Sequence, residues 1–347
     1  MSIRTKWAAF ALGALAVLTA GCNYIPAAST TPQAARVPTY YRVSGQNLYD
    51  ACGERVVVKG IEQFFANPSV FPTGRVIPHI GYTGANAVRI LPYMGLPGEP
   101  HQPGWKAMSA AQVEHLIQLG LASHMMVDVA LAGGFSADIY LRPDIKTMLM
   151  KYQSRIVIHA AGEGYQSTGA QWAAHAKAVI AKLRGAGYKA PLYIMANNGG
   201  RNLRTILSYG SSVLASDPLH NVVFGWQAYW SGSYDNRVDF YQKLSNLSLR
   251  QAFGAIKKVP FMIQVGLSGD QSDMWPKRVD ILSALLSVHA LGLSWMWWDW
   301  AYGPGQLTVP QNYYGSWDRS KFNAAAIVAE IKNTSVRTYF QNTGRCR

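Results

Sequence analysis

The sequence is poor in charge and in cysteine. Only 14% of its 347 residues are charged, and only three are cysteine. Disordered chains carry far more charge and small disulfide scaffolds far more cysteine, so both classes are excluded. Carboxylates are especially scarce, with 18 Asp and Glu against 32 Lys and Arg. The chain instead has 49% hydrophobic and 12% aromatic residues, which is the composition of a packed globular protein.

The first 22 residues have the order of an export signal. A short basic start is followed by an apolar run that is too short to span a membrane, and the stretch ends at Cys22. This ending resembles a bacterial lipobox, which implies that Cys22 is lipidated and anchors the mature protein to the bacterial envelope, in the periplasm or at the outer membrane. A plain secreted protein cut after Ala27 or Ala28 is the alternative.

Residues 23–38, rich in Ala, Thr and Pro, are predicted to be a tether, and residues 39–347 a single folded domain. Lipidation of the first cysteine would leave Cys52 and Cys346 as a pair in an oxidising compartment. They lie near the two ends of the domain, which a closed barrel brings together, so we expect a disulfide, with two unpaired thiols as the alternative.

The basic excess gives a formal charge of +14. In an exported chain this favours an anionic envelope or matrix polymer over nucleic acid as a partner, although a basic face can equally be a solvated surface. The histidines show no metal-ligand spacing and no nucleotide-binding motif occurs, so we expect neither a metal nor a cofactor.

From residue 39 the chain alternates apolar strands with amphipathic helices, which is typical of parallel βα units in an α/β protein. A short hairpin, Tyr41–Val43 with Leu48–Asp50, comes first. Eight strands predict a (β/α)8 TIM barrel, and an open doubly wound sheet is the alternative. The predicted strands are Val56–Ile61, Ala85–Leu91, Met125–Leu131, Arg155–Ala160, Leu192–Ala196, Val222–Ala228, Phe261–Val265 and Ser294–Trp298. The predicted helices are Ala110–His124, capped by Ser109 and Gln112, and Gln171–Arg184, Asn202–Leu214, Val238–Lys258, Trp275–Leu291 and Ser320–Lys332.

The chemistry of such a barrel lies at the carboxyl ends of its strands. In this chain those ends carry carboxylates, an arginine, amides and aromatic residues. Such a set suits a sugar ring, which has apolar faces and polar edges. The predicted rim residues are Glu62, Arg89, Glu163, Asn197, Gln227, Tyr229, Trp298 and Trp300.

Several segments between residues 40 and 305 match one known pattern in unbroken order. They include Leu48–Gly53, Val58–Ile61, Gly84–Ile90 and the tryptophan run Trp295–Trp300. With these segments the chain resembles glycoside hydrolase family 5, most closely its bacterial β-1,4-mannanases. The resemblance implies a protein that acts on or binds a β-linked polysaccharide.

The resemblance also implies roles for single residues. Retaining glycosidases use two carboxyl groups about 5–5.5 Å apart. Glu163 matches the acid/base, but Val265 stands at the position of the nucleophile and cannot form a glycosyl ester. Tyr229 matches a tyrosine that hydrogen-bonds near the nucleophile, Trp298 a sugar platform, and Arg89 the arginine that orients the nucleophile.

Further departures fall in the same cleft. Ala130 and Gln227 stand where the family has histidines, and Glu62-Gln63 stands where it has Asn-His. The favoured hypothesis is therefore a catalytically degenerate, monomeric, polysaccharide-binding protein whose ligand is neutral or anionic. One alternative is an active endo-β-glycanase that pairs Glu163 with Glu62 or Asp270 in an inverting arrangement. The other is a structural envelope lipoprotein.

Overall fold

The computed structural model describes the chain from Tyr40 to Cys346 with several gaps, and residues 1–39 lie outside the described part. For residues 261–266 and 322–323 only the backbone is described. The signal, the tether and lipidation of Cys22 therefore stay predictions. The described residues are 40–65, 75–96, 103–131, 137–161, 167–200, 202–227, 261–266, 289, 292–300 and 322–346.

A three-stranded antiparallel sheet precedes the barrel, formed by β1 (Arg42–Ser44), β2 (Asn47–Tyr49) and β3 (Arg55–Val56). Gly45 has a φ of 58°, which allows the tight turn between β1 and β2. The predicted hairpin is thus present. The third strand was not predicted separately, since two residues are too few to show a period.

Eight parallel strands then close into a barrel. They are β4 (Lys59–Phe65), β5 (Ala87–Pro92), β6 (Met126–Val129), β7 (Ile156–Ala161), β8 (Leu192–Met195), β9 (Val222–Gln227), β10 (Phe261–Gly266) and β11 (Ser294–Trp298). Each strand pairs with the next along the chain, and the ring closes where β11 pairs with β4. This is the predicted (β/α)8 architecture. The open doubly wound sheet is wrong, because a closed ring has no edge strand.

Helices connect the strands and pack around the ring. They are α1 (Val76–Tyr82), α2 (Ala110–Ala122), α3 (Pro143–Tyr152), α4 (Gly169–Gly185), α5 (Leu203–Ser216), α6 (Phe322–Thr334) and α7 (Tyr339–Thr343). The predicted capping box of Ser109 and Gln112 is present, and Thr168 with Gln171 forms another. Helices α1 and α3 were not predicted, and the predicted helices Val238–Lys258 and Trp275–Leu291 lie outside the described residues.

Alternation along the strands builds two apolar layers. One set of side chains lines the inside of the barrel, where Ala87, Met126 and Met296 pack together. The other set, including Val88 and Trp297, packs against the helices. A charged residue at an inward position is therefore surrounded by protein on every side.

The two ends of the domain meet at the amino-terminal end of the barrel. Cys52 and Cys346 form a disulfide across a sequence separation of 294 residues, with their Cα atoms 5.2 Å apart. Tyr41 packs edge-on against Phe340 of α7 at 6.1 Å between ring centroids. The pairing predicted from the cysteine count is thus the one that the structure contains.

Within the described ranges no helix has the length and apolar character needed to cross a membrane. The same part of the chain contains no group of three or more His, Cys, Asp or Glu side chains placed to hold a metal ion.

Candidate functional site

An ion cluster lies inside the barrel on three neighbouring strands. Arg89 on β5 donates from Nε to Oδ2 of Asp128 on β6 at 2.5 Å, and from Nη1 to Oε1 of Glu62 on β4 at 3.0 Å. All three side chains are at most 1% exposed. The strand register explains the cluster, because Glu62 pairs with Arg89 and Arg89 pairs with Asp128. The three residues therefore share one inward row.

The cluster holds two carboxylates around one guanidinium. Burial alone would lower the pKa of Arg89, but the charges of Asp128 and Glu62 outweigh it and hold that pKa well above its usual range. Burial raises the pKa of Asp128, and Arg89 offsets part of that rise. Arg89 therefore stays cationic and is neutralised by protein groups.

Two further polar side chains border this cluster. The Arg89 guanidinium lies 4.4 Å from the ring centroid of Tyr193, and the rings of Tyr193 and His159 are 4.6 Å apart. His159 is 3% exposed, and within the described part of the chain neither of its ring nitrogens has a hydrogen-bond partner. Burial, with a smaller contribution from Arg89, lowers the pKa of His159 well below its usual value. The imidazole is therefore neutral at physiological pH.

These contacts revise two expectations. Glu62, the expected second carboxylate of an active enzyme, is fully buried and bonded to Arg89. Arg89, expected to contact a ligand, is enclosed with it. Both are buried members of one ion cluster, and their contact with a ligand remains a prediction.

Asn197 and Gln227 were predicted to bind a ligand, and both are buried. The Asn197 side chain donates to the carbonyl of Ser167 at 2.5 Å and accepts from the hydroxyl of Thr205 at 2.7 Å. Its two ends thus tie the segment before α4 to α5. The backbone N–H of Gln227 donates to Gly200 at 2.8 Å. Both residues hold the loop after β8 in place, and ligand contact remains a prediction.

The tryptophan run divides along β11. Trp295, Trp297 and Trp300 are each at most 1% exposed and pack in the helix-facing layer, whereas Trp298 is partly exposed. The expectation that Trp300 also faces a cleft is corrected, because its backbone N–H bonds to Glu62 and its ring lies in the core. Trp298 is the tryptophan of this strand that can meet a ligand.

An aromatic group that was not predicted from the sequence lies at the end of β4, the strand next to that of Trp298. Trp105 packs edge-on against Phe64 at 5.2 Å and against Tyr93 at 5.3 Å between ring centroids. Phe64 lies near the carboxyl end of β4, and Tyr93 directly follows β5. Phe64 and Trp105 are partly exposed. Their signal in the sequence was weak, since Trp105 lies in a loop ten residues or more beyond its strand.

Other predicted site residues lie outside the described part of the chain. They are Glu163, Tyr229 and Asp270. Glu163 comes two residues after Ala161, the end of β7, and Tyr229 comes two residues after Gln227, the end of β9. Their roles stay predictions.

The strand register places two residues near the end of β10. Val265 pairs with Trp297, a member of the helix-facing layer. Gln264 pairs with Met296 on one side and with Gln227 on the other, and Met296 belongs to the layer inside the barrel. Gln264 therefore occupies the register row that passes through the barrel interior, one residue before the position predicted from the sequence.

The fold and the rim define a (β/α)8 barrel with polar and aromatic residues at the carboxyl ends of its strands. The chain is 30% identical over 208 residues to the mannan endo-1,4-beta-mannosidase of Salipaludibacillus agaradhaerens, an alignment that covers 57% of this chain and 65% of that protein. It is 28% identical over 279 residues to the enzyme of the same name from Streptomyces lividans, covering 76% and 66%. The chain thus spans slightly less than two thirds of the length of each relative.

Solved structures show the same fold. The catalytic domain of a mannanase from Streptomyces sp. SirexAA-E superposes with a TM-score of 0.70 at 20% identity, covering 92% of this chain and 99% of that one. The mannohexaose complex of Thermomonospora fusca β-mannanase gives a TM-score of 0.70 at 19% identity, covering 87% and 99%. No family model matches the chain. The chain is therefore similar in sequence to mannosidases and shares the barrel of β-mannanases.

Proposed function

We propose that this protein binds a β-1,4-linked, mannan-type polysaccharide at the carboxyl-end rim of its barrel and does not hydrolyse it by the retaining mechanism. The substrate class is that of the relatives with which the sequence aligns. The proposal that retaining hydrolysis is absent depends on the side chains at the end of β10, where that mechanism requires a carboxylate.

Retaining hydrolysis requires two carboxyl groups about 5–5.5 Å apart. The resemblance puts the nucleophile at residue 265, and the strand register offers residue 264 as the inward alternative. One is Val265 and the other is Gln264. Neither side chain is a carboxylate, so the end of β10 lacks a nucleophile under either alignment.

The ion cluster on β4, β5 and β6 also supports the absence of a nucleophile on β10. In family 5 the arginine at this position orients the nucleophile. Here Arg89 is neutralised by Glu62 and Asp128, both within hydrogen-bond distance. Among the described side chains, these two carboxylates from β4 and β6 already balance its charge.

A ligand surface remains although the nucleophile is absent. Trp298 at the end of β11 and Phe64 near the end of β4 lie on adjacent strands, and Trp105 packs against Phe64. Aromatic faces of this kind bury the apolar C–H faces of sugar rings. Such side chains on two neighbouring strands and the loop after β5 suit an extended polysaccharide.

Binding and hydrolysis can be measured on the same samples. We expect galactomannan and mannohexaose to bind saturably, by calorimetry or affinity electrophoresis, without release of reducing ends. Trp298→Ala and Trp105→Ala should each weaken binding by about tenfold, which corresponds to about 1.4 kcal/mol. Tyr82→Ala is the control, because Tyr82 is 78% exposed at the end of α1, away from the rim. Equal losses in all three variants would contradict the proposed surface.

An active glycanase is the second candidate, and the names of the relatives favour it. Glu163 would then work with Asp270 in an inverting pair about 6.5–9.5 Å apart. The burial of Glu62 against Arg89 makes that residue the weaker partner. Release of reducing ends by the wild type that disappears in Glu163→Gln would establish this candidate and overturn the binding-only proposal.

We also propose that the protein is exported and held in the bacterial envelope by lipid on Cys22, and that it acts as a monomer. The three-part order of residues 1–22 supports export, and the Cys52–Cys346 disulfide is consistent with an oxidising compartment. Metabolic labelling with a fatty acid, lost in Cys22→Ser, tests the anchor. Absence of both glycan binding and hydrolysis would instead favour a structural envelope protein.

A further inference from the structure

Basic side chains gather at the amino-terminal end of the barrel, opposite the rim. Arg42 lies in β1 and Arg55 in β3, whereas Arg155 and Lys189 come directly before β7 and just before β8, and Arg345 follows α7. Arg55, Lys189 and Arg345 are exposed, and the other two are partly exposed. We call these five residues the basic face.

Contacts within the amino-terminal end hold the basic face together. The Arg155 guanidinium lies 5.8 Å from the ring centroid of Phe340, and Arg345 neighbours Cys346, which is bonded to Cys52. The carbonyl of Lys189 accepts a hydrogen bond from Asn221 at 3.0 Å.

The same Asn221 side chain also accepts from the N–H of Val43, next to Arg42, at 2.8 Å. Arg55 Nη2 donates at 3.4 Å to the carbonyl of Gly292, which stands two residues before β11. The five cations are therefore fixed on one end of the domain rather than scattered over it.

The described carboxylates around the basic face are buried or only partly exposed. Asp50 is buried and accepts the backbone N–H groups of Cys52 and Glu54, each at 2.9 Å. Glu54 accepts the N–H of Tyr339 at 3.1 Å. Asp217 is buried in a two-bond pair with Arg184. Among the described residues at this end no carboxylate is fully exposed, and Glu54 beside Arg55 is partly exposed, so the five cations leave a positive excess on the basic face.

The chain enters the domain at this same end. Tyr40, the first described residue, stands two residues before Arg42. The rim with Trp298 lies at the other end of the strands, about 20 Å away for strands of six residues. A surface that contacted the basic face would therefore leave the rim open.

We propose that the basic face docks on an anionic phospholipid surface and directs the rim away from the bilayer, toward the polysaccharide. A lipid surface is favoured over an acidic polymer because the five cations spread across one end of the barrel, and because the predicted lipid-bearing segment precedes Tyr40 at that end. The setting rests on the proposed export to the envelope, whereas the rim's binding of glycan is measured separately.

Vesicle co-sedimentation of the full chain tests this docking. The vesicles contain phosphatidylcholine alone or with one third phosphatidylglycerol, and the ratio of the two partition coefficients isolates the charge-dependent part, since residues 1–39 are identical in every variant. Each basic residue near such a surface contributes about fivefold to binding at physiological salt. The triple variant Arg55→Gln, Lys189→Gln, Arg345→Gln should therefore lose about 100-fold of the phosphatidylglycerol-dependent partitioning.

A matched variant removes the same charge elsewhere. Lys106→Gln, Lys177→Gln, Arg204→Gln changes residues on the loop after β5, in α4 and in α5, and should lose less than about fivefold. Replacement of Arg55 and Arg345 by lysine should retain binding, and an unchanged thermal midpoint shows that each variant folds. The preference should vanish near 1 M salt, where the Debye length is about 3 Å.

Two results would overturn the proposal. One is an equal loss in both triple variants, which would mean that net charge alone acts. The other is a wild type that ignores phosphatidylglycerol at physiological salt, whether or not it binds an acidic polysaccharide such as alginate. Glycan binding at the rim can persist in either case, so failure of the docking proposal is distinct from failure of the proposed function.

Discussion

Removal of the Arg89 charge tests the ion cluster at the centre of the barrel. Arg89→Met keeps most of the side-chain volume and leaves Glu62 and Asp128 facing each other in a site where neither is exposed. Breaking a buried ion pair by removal of one partner costs about 3–5 kcal/mol, because the remaining charge is uncompensated. Since two carboxylates lose their partner here, we expect a loss of unfolding free energy at the upper end of that range.

The loss should depend on pH in a definite direction. Burial already raises the pKa of Asp128, and Arg89 offsets part of the rise. Without Arg89 the folded-state pKa rises further above the unfolded value of about 3.9. A carboxyl group with a raised folded pKa favours the folded state when protonated, so stability falls as pH increases through the interval between the two values.

Urea unfolding of the wild type and of Arg89→Met at pH 5 and pH 8 measures both effects. We expect a larger difference between the two proteins at pH 8. Glu62→Gln is the comparison, because it leaves the Arg89–Asp128 pair intact and costs only about 1–3 kcal/mol. A loss for Arg89→Met that equals the loss for Glu62→Gln, or that is the same at both pH values, would refute the charge assignment. A Glu62→Gln protein of unchanged stability that loses hydrolytic activity would show Glu62 to be catalytic instead.

Three further predictions concern stability. Replacement of Cys52 and Cys346 by serine should lower the unfolding free energy by up to about 5 kcal/mol, measured by denaturant titration, because the bond closes a loop of nearly the whole domain. Burial keeps His159 neutral with a lowered pKa, so wild-type stability should fall below about pH 6.5 by up to about 1.4 kcal/mol per pH unit, and His159→Gln should lack that slope. A side chain at Gly225 would overlap the ring of Tyr193, so Gly225→Ala should lower the thermal midpoint by the equivalent of about 1–3 kcal/mol.

The barrel strands could be predicted from the sequence because each strand carries its own signal. A strand buried on both faces is a short, nearly continuous apolar run, and that pattern depends on no distant residue. Ser294–Trp298 was predicted with the bounds that the structure shows, and Leu192–Met195 within one residue. Helices with strong caps could also be predicted from the sequence, as the capping box of Ser109 and Gln112 shows. The seven-residue α1 has neither the length nor a capping side chain.

The contacts within the site could not be predicted in the same way because they are not local. Arg89 meets Glu62 across 27 residues and Asp128 across 39. A signal was nevertheless present, since each of the three is a charged residue within an apolar strand. Alternation from Gly60 and Ala87 would have put Glu62 and Arg89 on the inner face of the barrel. A lone carboxylate on the inner face of a barrel strand indicates an ion pair more strongly than it indicates a catalytic role.

Charge balance connects two departures from the family pattern, the presence of Glu62 on β4 and the absence of a carboxylate on β10. The cluster already contains two carboxylates and one guanidinium, so its net charge is −1 when all three are ionised. A glutamate at residue 264, in the inward register row, would lie two strands from Glu62, about 10 Å away, and would add another negative charge to the interior. Burial of unpaired charge is costly, so Glu62 and a nucleophile on β10 are alternatives rather than companions. Recovery of hydrolysis should therefore require Glu62→Asn together with a glutamate on β10. The double variant should fold better than the variant with the added glutamate alone, and reducing-end release should appear only when both changes are present.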